Sequence, residues 1–261
     1  MLPSPYYPMI HLGPIALYTW GLFVSAGILA GFLYARQEAK KRGVLAHDVA
    51  DGVFWILLAA FLGARLSHVF LYDWGYYRAN LWEIPQVWHG GLSSFGGFAG
   101  ALVAAAIFAR ARRINFTRYA ETLIVGLPLG LAIGRVGCYV NRMHPGVHTN
   151  LPIGVRYPDG VRFDLGLMEA FSAALLFGTI LLLARRTWPV GFFMAVVMLW
   201  YGTVRFFSDF LRIEDARYLG LTPAQYGSLG LVFGGLFLFA NIARKKRRGA
   251  GITSSGIDPR F

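Results

Sequence analysis

Seven long apolar stretches, separated by polar and Gly/Pro-punctuated segments, divide the chain. They cover residues 15–34, 49–72, 92–109, 121–140, 165–183, 189–211 and 226–242. Each approaches the roughly 20 residues that a helix needs to cross a bilayer. The pattern predicts an all-α polytopic membrane protein with seven transmembrane helices, built as one integral-membrane domain over residues 1–248. The first stretch follows Gly13-Pro14, and no Lys or Arg precedes Arg36, so it lacks the positive leader of a cleaved signal peptide.

The segments between the stretches differ in kind. Residues 73–91 carry Trp74, Tyr76, Tyr77, Trp82 and Trp88, a density of aromatic rings suited to the headgroup layer. Residues 141–164 carry Pro145, Pro152 and Pro158, with a turn expected at Asp159-Gly160. These two segments are expected to form a small cap on the outer side. Residues 249–261 are Gly/Ser-rich and are expected to be a disordered cytoplasmic tail.

Composition supports the membrane reading and excludes others. Of the 261 residues 56% are hydrophobic and only 15% charged, too little polar surface for an ordinary soluble domain. The formal net charge of +12 would suggest nucleic acid in a soluble protein. In an apolar chain it fits cytoplasmic loops and anionic headgroups better, and no nucleic-acid partner is expected. With the N-terminus outside, 16 basic residues fall in inner segments, 6 in outer ones and 3 within spans. That asymmetry predicts N-outside, C-cytoplasmic. The single cysteine, Cys138, excludes an internal disulfide, and no His pair has metal-ligand spacing, so neither metal nor cofactor is expected.

The in-span charges carry the chemistry. An arginine within a span costs at least about 2.5–3.5 kcal/mol on insertion scales and marks a functional candidate. Arg65, Arg135 and Arg205 are three such residues, with Glu169 and Asp209 as the in-span carboxylates. Three cations against two carboxylates leave an excess that an anionic ligand would complete, and an arginine fork suits phosphate. In the sixth span Tyr201, Arg205, Asp209 and Arg212 fall on one helix face, at i, i+4, i+8 and i+11. A self-neutralised polar stripe is the alternative reading of that face. The run from Trp88 to Gly97 sets two Gly pairs around Ser93-Ser94, and reads either as a kinked or re-entrant element or as an interfacial loop.

Several segments in order carry a family resemblance: Gly13-Pro14-Ile15-Ala16-Leu17-Tyr18-Thr19-Trp20-Gly21, Leu62-Gly63-Ala64-Arg65, Trp88-His89-Gly90-Gly91-Leu92-Ser93, Gly134-Arg135-Val136-Gly137-Cys138-Tyr139-Val140-Asn141 and Tyr201-Gly202-Thr203-Val204-Arg205. On these the chain resembles the prolipoprotein diacylglyceryl transferases. The resemblance implies an enzyme of the bacterial cytoplasmic (inner) membrane, acting as a monomer. It would move a diacylglyceryl group from phosphatidylglycerol to the lipobox cysteine thiol of a prolipoprotein signal peptide, releasing glycerol phosphate. It implies Arg135, Arg205, Tyr201 and Asp209 as catalytic residues, with His144 or His89 as a replacement base, or no dedicated base. Arg135, Arg205, Asn141, Arg65, Arg212, Ser93, Gly96 and Gly97 would bind phosphatidylglycerol. The chain departs from the family pattern at Phe95, where a histidine is usual. It departs again at Arg142-Met143, where Gly-Glu usually follows the Asn, at Met168 of Leu167-Met168-Glu169, and at Trp20. A phospholipid-binding relative with altered or absent catalysis is the alternative, and a transporter a more distant one.

Overall fold

The computed structural model describes residues 1–13, 15–213 and 217–253. Among them are seven helical segments long and apolar enough to cross a membrane: Thr19–Arg42, Ala46–Tyr72, Ser94–Ala111, Phe116–Val140, Leu165–Leu183, Phe192–Leu211 and Pro223–Lys245. The chain is a multi-pass helical membrane protein. Its residues fall into two compact units, one of residues 1–34 and 123–261, the other of residues 35–122.

The first unit opens with a hairpin. Strands β1 (Met9–Leu12) and β2 (Ile15–Tyr18) pair antiparallel around Gly13, whose φ of +63° suits a residue without Cβ. Residues 15–18, expected as the start of the first span, are therefore strand, and helix α1 begins at Thr19 (Thr19–Ala39). The β-branched and aromatic residues of 15–18 favour the pleated form.

The fourth span, expected as one helix over 121–140, is two. Helix α5 (Phe116–Ile124) reaches back into the second unit, and helix α6 (Leu127–Val140) follows it. Gly126 caps α6 and Pro128 lies in its first turn, where a missing N–H costs nothing. Helices α1 and α6 meet through glycines. A Cβ at Gly31 would press on the Gly126 carbonyl, and one at Gly130 on the Gly27 carbonyl. Between membrane helices such approach gains van der Waals contact, since lipid offers no hydrophobic drive to associate.

After α6, residues 141–164 fold as a three-stranded antiparallel sheet in the order β3 (Pro145–His148), β5 (Gly160–Asp164), β4 (Val155–Tyr157). Tyr157 pairs with Gly160, so Pro158-Asp159 makes the turn, one residue earlier than expected. Asp164 then caps helix α7 (Leu165–Leu183), its Oδ1 accepting from Leu167 N at 2.7 Å. Helix α8 (Phe192–Ser208) continues into a 3₁₀ turn over Asp209–Leu211. Val125, Leu176, Ile180, Phe193 and Val197 form a buried apolar cluster joining α7 and α8. The last helix, α9 (Pro223–Thr253), runs beyond Gly249, where the tail was expected to begin, and residues 254–261 lie outside the described residues.

In the second unit, helix α2 (Ala46–Ser67) packs on α4 (Ser94–Ala111), with the one-turn helix α3 (Trp74–Tyr77) in the loop between them. A Cβ at Gly63 would sit 3.2 Å from Gly100 Cα and closer still to the Gly96 carbonyl. The Gly pairs of 90–97 thus serve two ordinary purposes. Gly90 and Gly91 take positive φ in the loop, and Gly96 admits α2. Ser93 caps α4, its Oγ accepting from Gly96 N at 3.3 Å. From Ser93 on, the segment is a capped helix start.

Candidate active site

The site forms in the first unit, where α6, α7 and α8 bring buried charges together. Helix α6 carries Arg135 one turn before its end. Asn141 closes that helix, its Nδ2 donating to the Gly137 carbonyl at 2.8 Å. Arg142 follows with φ +52°, a left-handed residue whose Nη2 donates to the Ser4 carbonyl at 2.5 Å. The usual glycine of the family pattern at this position therefore has a backbone reason.

Glu169, one turn into α7, is the hub. Its Oε2 lies 2.8 Å from Arg135 Nη2, and its Oε1 lies 2.6 Å from Arg205 Nη1 and 3.6 Å from Arg212 Nη2. Asp209 completes the cluster, its Oδ1 3.0 Å from Arg205 Nη2 and 3.1 Å from Arg212 Nε. The hydroxyl of Thr222 donates to Asp209 Oδ2. The carboxylates are buried, with side chains 4% and 0% exposed, while the three guanidiniums keep 12–18%. The pairs at Glu169 Oε2 and Asp209 Oδ1 are ionic by distance but lack aligned hydrogen bonds. Three cations face two carboxylates, leaving a net positive charge of one.

His144, just before β3, lies within the field of Arg135, Arg212, Arg205 and Glu169. Burial first, then Arg135 and Arg212, lower its imidazole from the ordinary 6.5 to about 4, so it is neutral at physiological pH. Cys138 is buried with its sulfur 3.9 Å from Arg135 Nη1. Tyr201 lies near enough to Arg135 for electrostatic interaction.

The structure thus brings together Arg135, Arg205, Arg212, Asp209 and His144 as expected, with Tyr201 alongside. It adds Glu169, which was legible as an in-span carboxylate but not as the residue joining two arginines. Arg65, expected in the lipid-binding set, stands apart from this cluster. It lies in the second unit, 4% exposed, and donates to the carbonyls of Glu83, Ile84, Gln86, Gly90 and Gly91. Those bonds hold the loop 83–91. Ser93, Gly96 and Gly97 also lie in the second unit. Ser93 caps α4 and Gly96 packs on α2. A Cβ at Gly97 would stand in ordinary contact with Ala60 and Ala64. His89 pairs with Glu83 at 2.8 Å, and Phe95, where the family pattern has histidine, is 52% exposed.

Seven apolar helices and a buried arginine–carboxylate cluster define the class: a multi-pass membrane protein with a cationic site at the ends of its helices. Residues 8–241 match the family model for prolipoprotein diacylglyceryl transferase. The chain is 33% identical to the phosphatidylglycerol–prolipoprotein diacylglyceryl transferase of Cupriavidus metallidurans, over 94% of this chain and 95% of that protein. It is 32% identical to the protein of that name from Cupriavidus necator, over 93% and 94%. It is 31% identical to the one from Francisella tularensis subsp. mediasiatica, over 92% and 94%. The chain belongs to the prolipoprotein diacylglyceryl transferase family.

Proposed function

We infer that this chain transfers the diacylglyceryl group of phosphatidylglycerol to the cysteine thiol of a prolipoprotein. The observation that carries the reading is the net positive cluster of Arg135, Arg205 and Arg212 around Glu169 and Asp209. A phosphodiester completes its charge. The thiolate attacks the glyceryl methylene carbon, a C–S bond forms, the C–O bond breaks, and glycerol phosphate leaves with the electron pair. Charge grows on the phosphate as it leaves, and preset guanidiniums stabilise that growth.

Arg135 and Arg205 are the phosphate clamps, with Arg212 beside them and Asn141 a polar contact at the end of α6. Glu169 and Asp209 are positioning residues that hold the guanidiniums apart and aimed. Tyr201 offers a hydroxyl one turn from Arg205. Arg65, Ser93, Gly96 and Gly97 act by building the second unit.

The thiol must ionise to attack. The arginine field that holds His144 neutral favours a thiolate over a thiol in the same place. His144, neutral beside the cluster, passes on the proton that the field has loosened and does not keep it.

The working form proposed is a monomer. The basic bias of the loops supports an N-terminus outside and a C-terminus inside, in the bacterial cytoplasmic membrane, with the site toward the outer leaflet. A lipobox signal peptide presents the acceptor cysteine. The test is direct: purified chain, phosphatidylglycerol vesicles, a lipobox peptide, and mass spectrometry for the diacylglyceryl thioether. The adduct is expected; its absence beside a working relative would overturn the reading.

A further inference from the structure

A second cationic feature lies in the other unit, at the end of α2 opposite Arg65. The loop before α2 and the loop after α4 line a half-open cavity of about 280 Å³. At about 30 Å³ per water molecule, that is room for a phosphate headgroup. Arg112, Arg113 and Arg118 line it, and Asp48 is the one carboxylate among its lining residues. Arg112 is already engaged, with Nη2 2.6 Å from Asp51 Oδ2 and Nη1 3.5 Å from Asp48 Oδ1. Among the described residues Arg113 and Arg118 join no ion pair, so the cavity keeps a positive excess.

The backbone at Arg113 is unusual. Helix α4 ends with Ile114 N bonded to the Ala109 carbonyl at 2.8 Å and Arg113 N to the Arg110 carbonyl at 3.1 Å. That closure puts Arg113 at φ +57°, the position where helix ends favour glycine. A branched-chain-free but Cβ-bearing arginine is strained there, and strain held at a cavity wall points to use of its side chain. The cavity also sits where α2 begins, α4 ends and α5 begins, the level of lipid headgroups. Leu45 on its rim is 61% exposed and Phe116 beside it 37%, apolar neighbours for an acyl chain.

We propose that this cavity binds the phosphate of an anionic lipid headgroup, at a site that shares no residue with the Glu169 cluster. In the orientation inferred above, the lipid belongs to the cytoplasmic leaflet. It ties the loops before α2 and after α4 to the membrane surface.

The test is thermal unfolding of the full chain in neutral detergent, with added phosphatidylserine or inorganic phosphate. Wild type is compared with Arg113→Gly, Arg118→Gln and Arg135→Gln. Arg113→Gly relieves the left-handed strain, so lost binding cannot be blamed on lost folding. Phosphatidylserine is expected to raise the wild-type Tm by about 5 °C. Arg113→Gly and Arg118→Gln should each lose at least half of that rise, and the part they lose should persist in Arg135→Gln. An equal rise with inorganic phosphate, lost in the same two variants, keeps the phosphate site but gives it a soluble ligand. No rise in wild type, or a full rise in both cavity variants, overturns the proposal.

Discussion

Arg135 on α6 and Arg205 on α8 share a single carboxylate, reaching opposite oxygens of Glu169 on α7 at 2.8 and 2.6 Å. Two like charges are thereby fixed at a spacing set by one rigid group. The arrangement joins three helices through one buried residue, so it is both a structural tie and an aiming device. Removing one partner of such a buried pair costs about 3–5 kcal/mol.

Glu169→Gln separates these roles. It keeps the shape but leaves the two guanidiniums repelling each other and free to move. Transfer is expected to fall about 100-fold in kcat, with KM for phosphatidylglycerol unchanged or lower because the cluster gains positive charge. Glu169→Asp should recover part of kcat. A rise in KM at unchanged kcat would assign Glu169 to lipid binding alone. Steady-state kinetics in mixed micelles decides it.

Arg205→Lys tests whether charge alone suffices. Arg205 reaches Glu169 with Nη1 and Asp209 with Nη2, a two-pronged contact that an ammonium cannot reproduce. Activity is expected to fall by about 10²–10³, and Arg135→Ala should abolish it, each in protein that still elutes as wild type. Near-normal turnover in either variant would remove the phosphate clamp.

The spans and this cluster were legible to different degrees. Apolar runs fixed the seven helices because lipid demands length and composition above all. The four-residue face of Tyr201, Arg205, Asp209 and Arg212 was legible because helical spacing is regular, and the 3.0 Å Arg205–Asp209 pair follows from it. Glu169 was visible as an expensive carboxylate, but its partners sit 34 and 36 residues away, and no local periodicity reports that pairing. Arg65 shows the same limit: cost within a span signals use, but not which use. Its carbonyl partners in 83–91 are backbone groups that carry no sequence signature. The sheet over 141–164 was hidden by strands of three to five residues, too short for an alternating pattern to register.

Arg65→Ala should act on stability rather than chemistry. Five loop carbonyls lose a charged donor, each such bond contributing about 1.5–3 kcal/mol in isolation and less when counted together. A lowered Tm and new protease cleavage within 83–91 are expected, with KM for phosphatidylglycerol changed less than threefold in the surviving fold. A large selective rise in KM would return Arg65 to the lipid site.

His144 makes a pH prediction of definite sign. The unfolded chain takes up a proton at this residue near pH 6.5, the folded chain only near 4. Between those values the unfolded state binds more protons, so the stability from this group is complete above pH 6.5 and is lost as pH falls toward 4. The wild-type Tm should therefore drop more between pH 7 and pH 5 than that of His144→Gln, which has nothing to titrate. The same variant reports on catalysis. If His144 accepts the thiol proton, His144→Gln slows transfer at least tenfold at pH 7. It slows it less at pH 9, where a thiol of pKa about 8.5 ionises unaided. A smaller Tm drop with an unchanged pH–rate profile would leave His144 a buried neutral group of the site and assign thiol activation to the arginines alone.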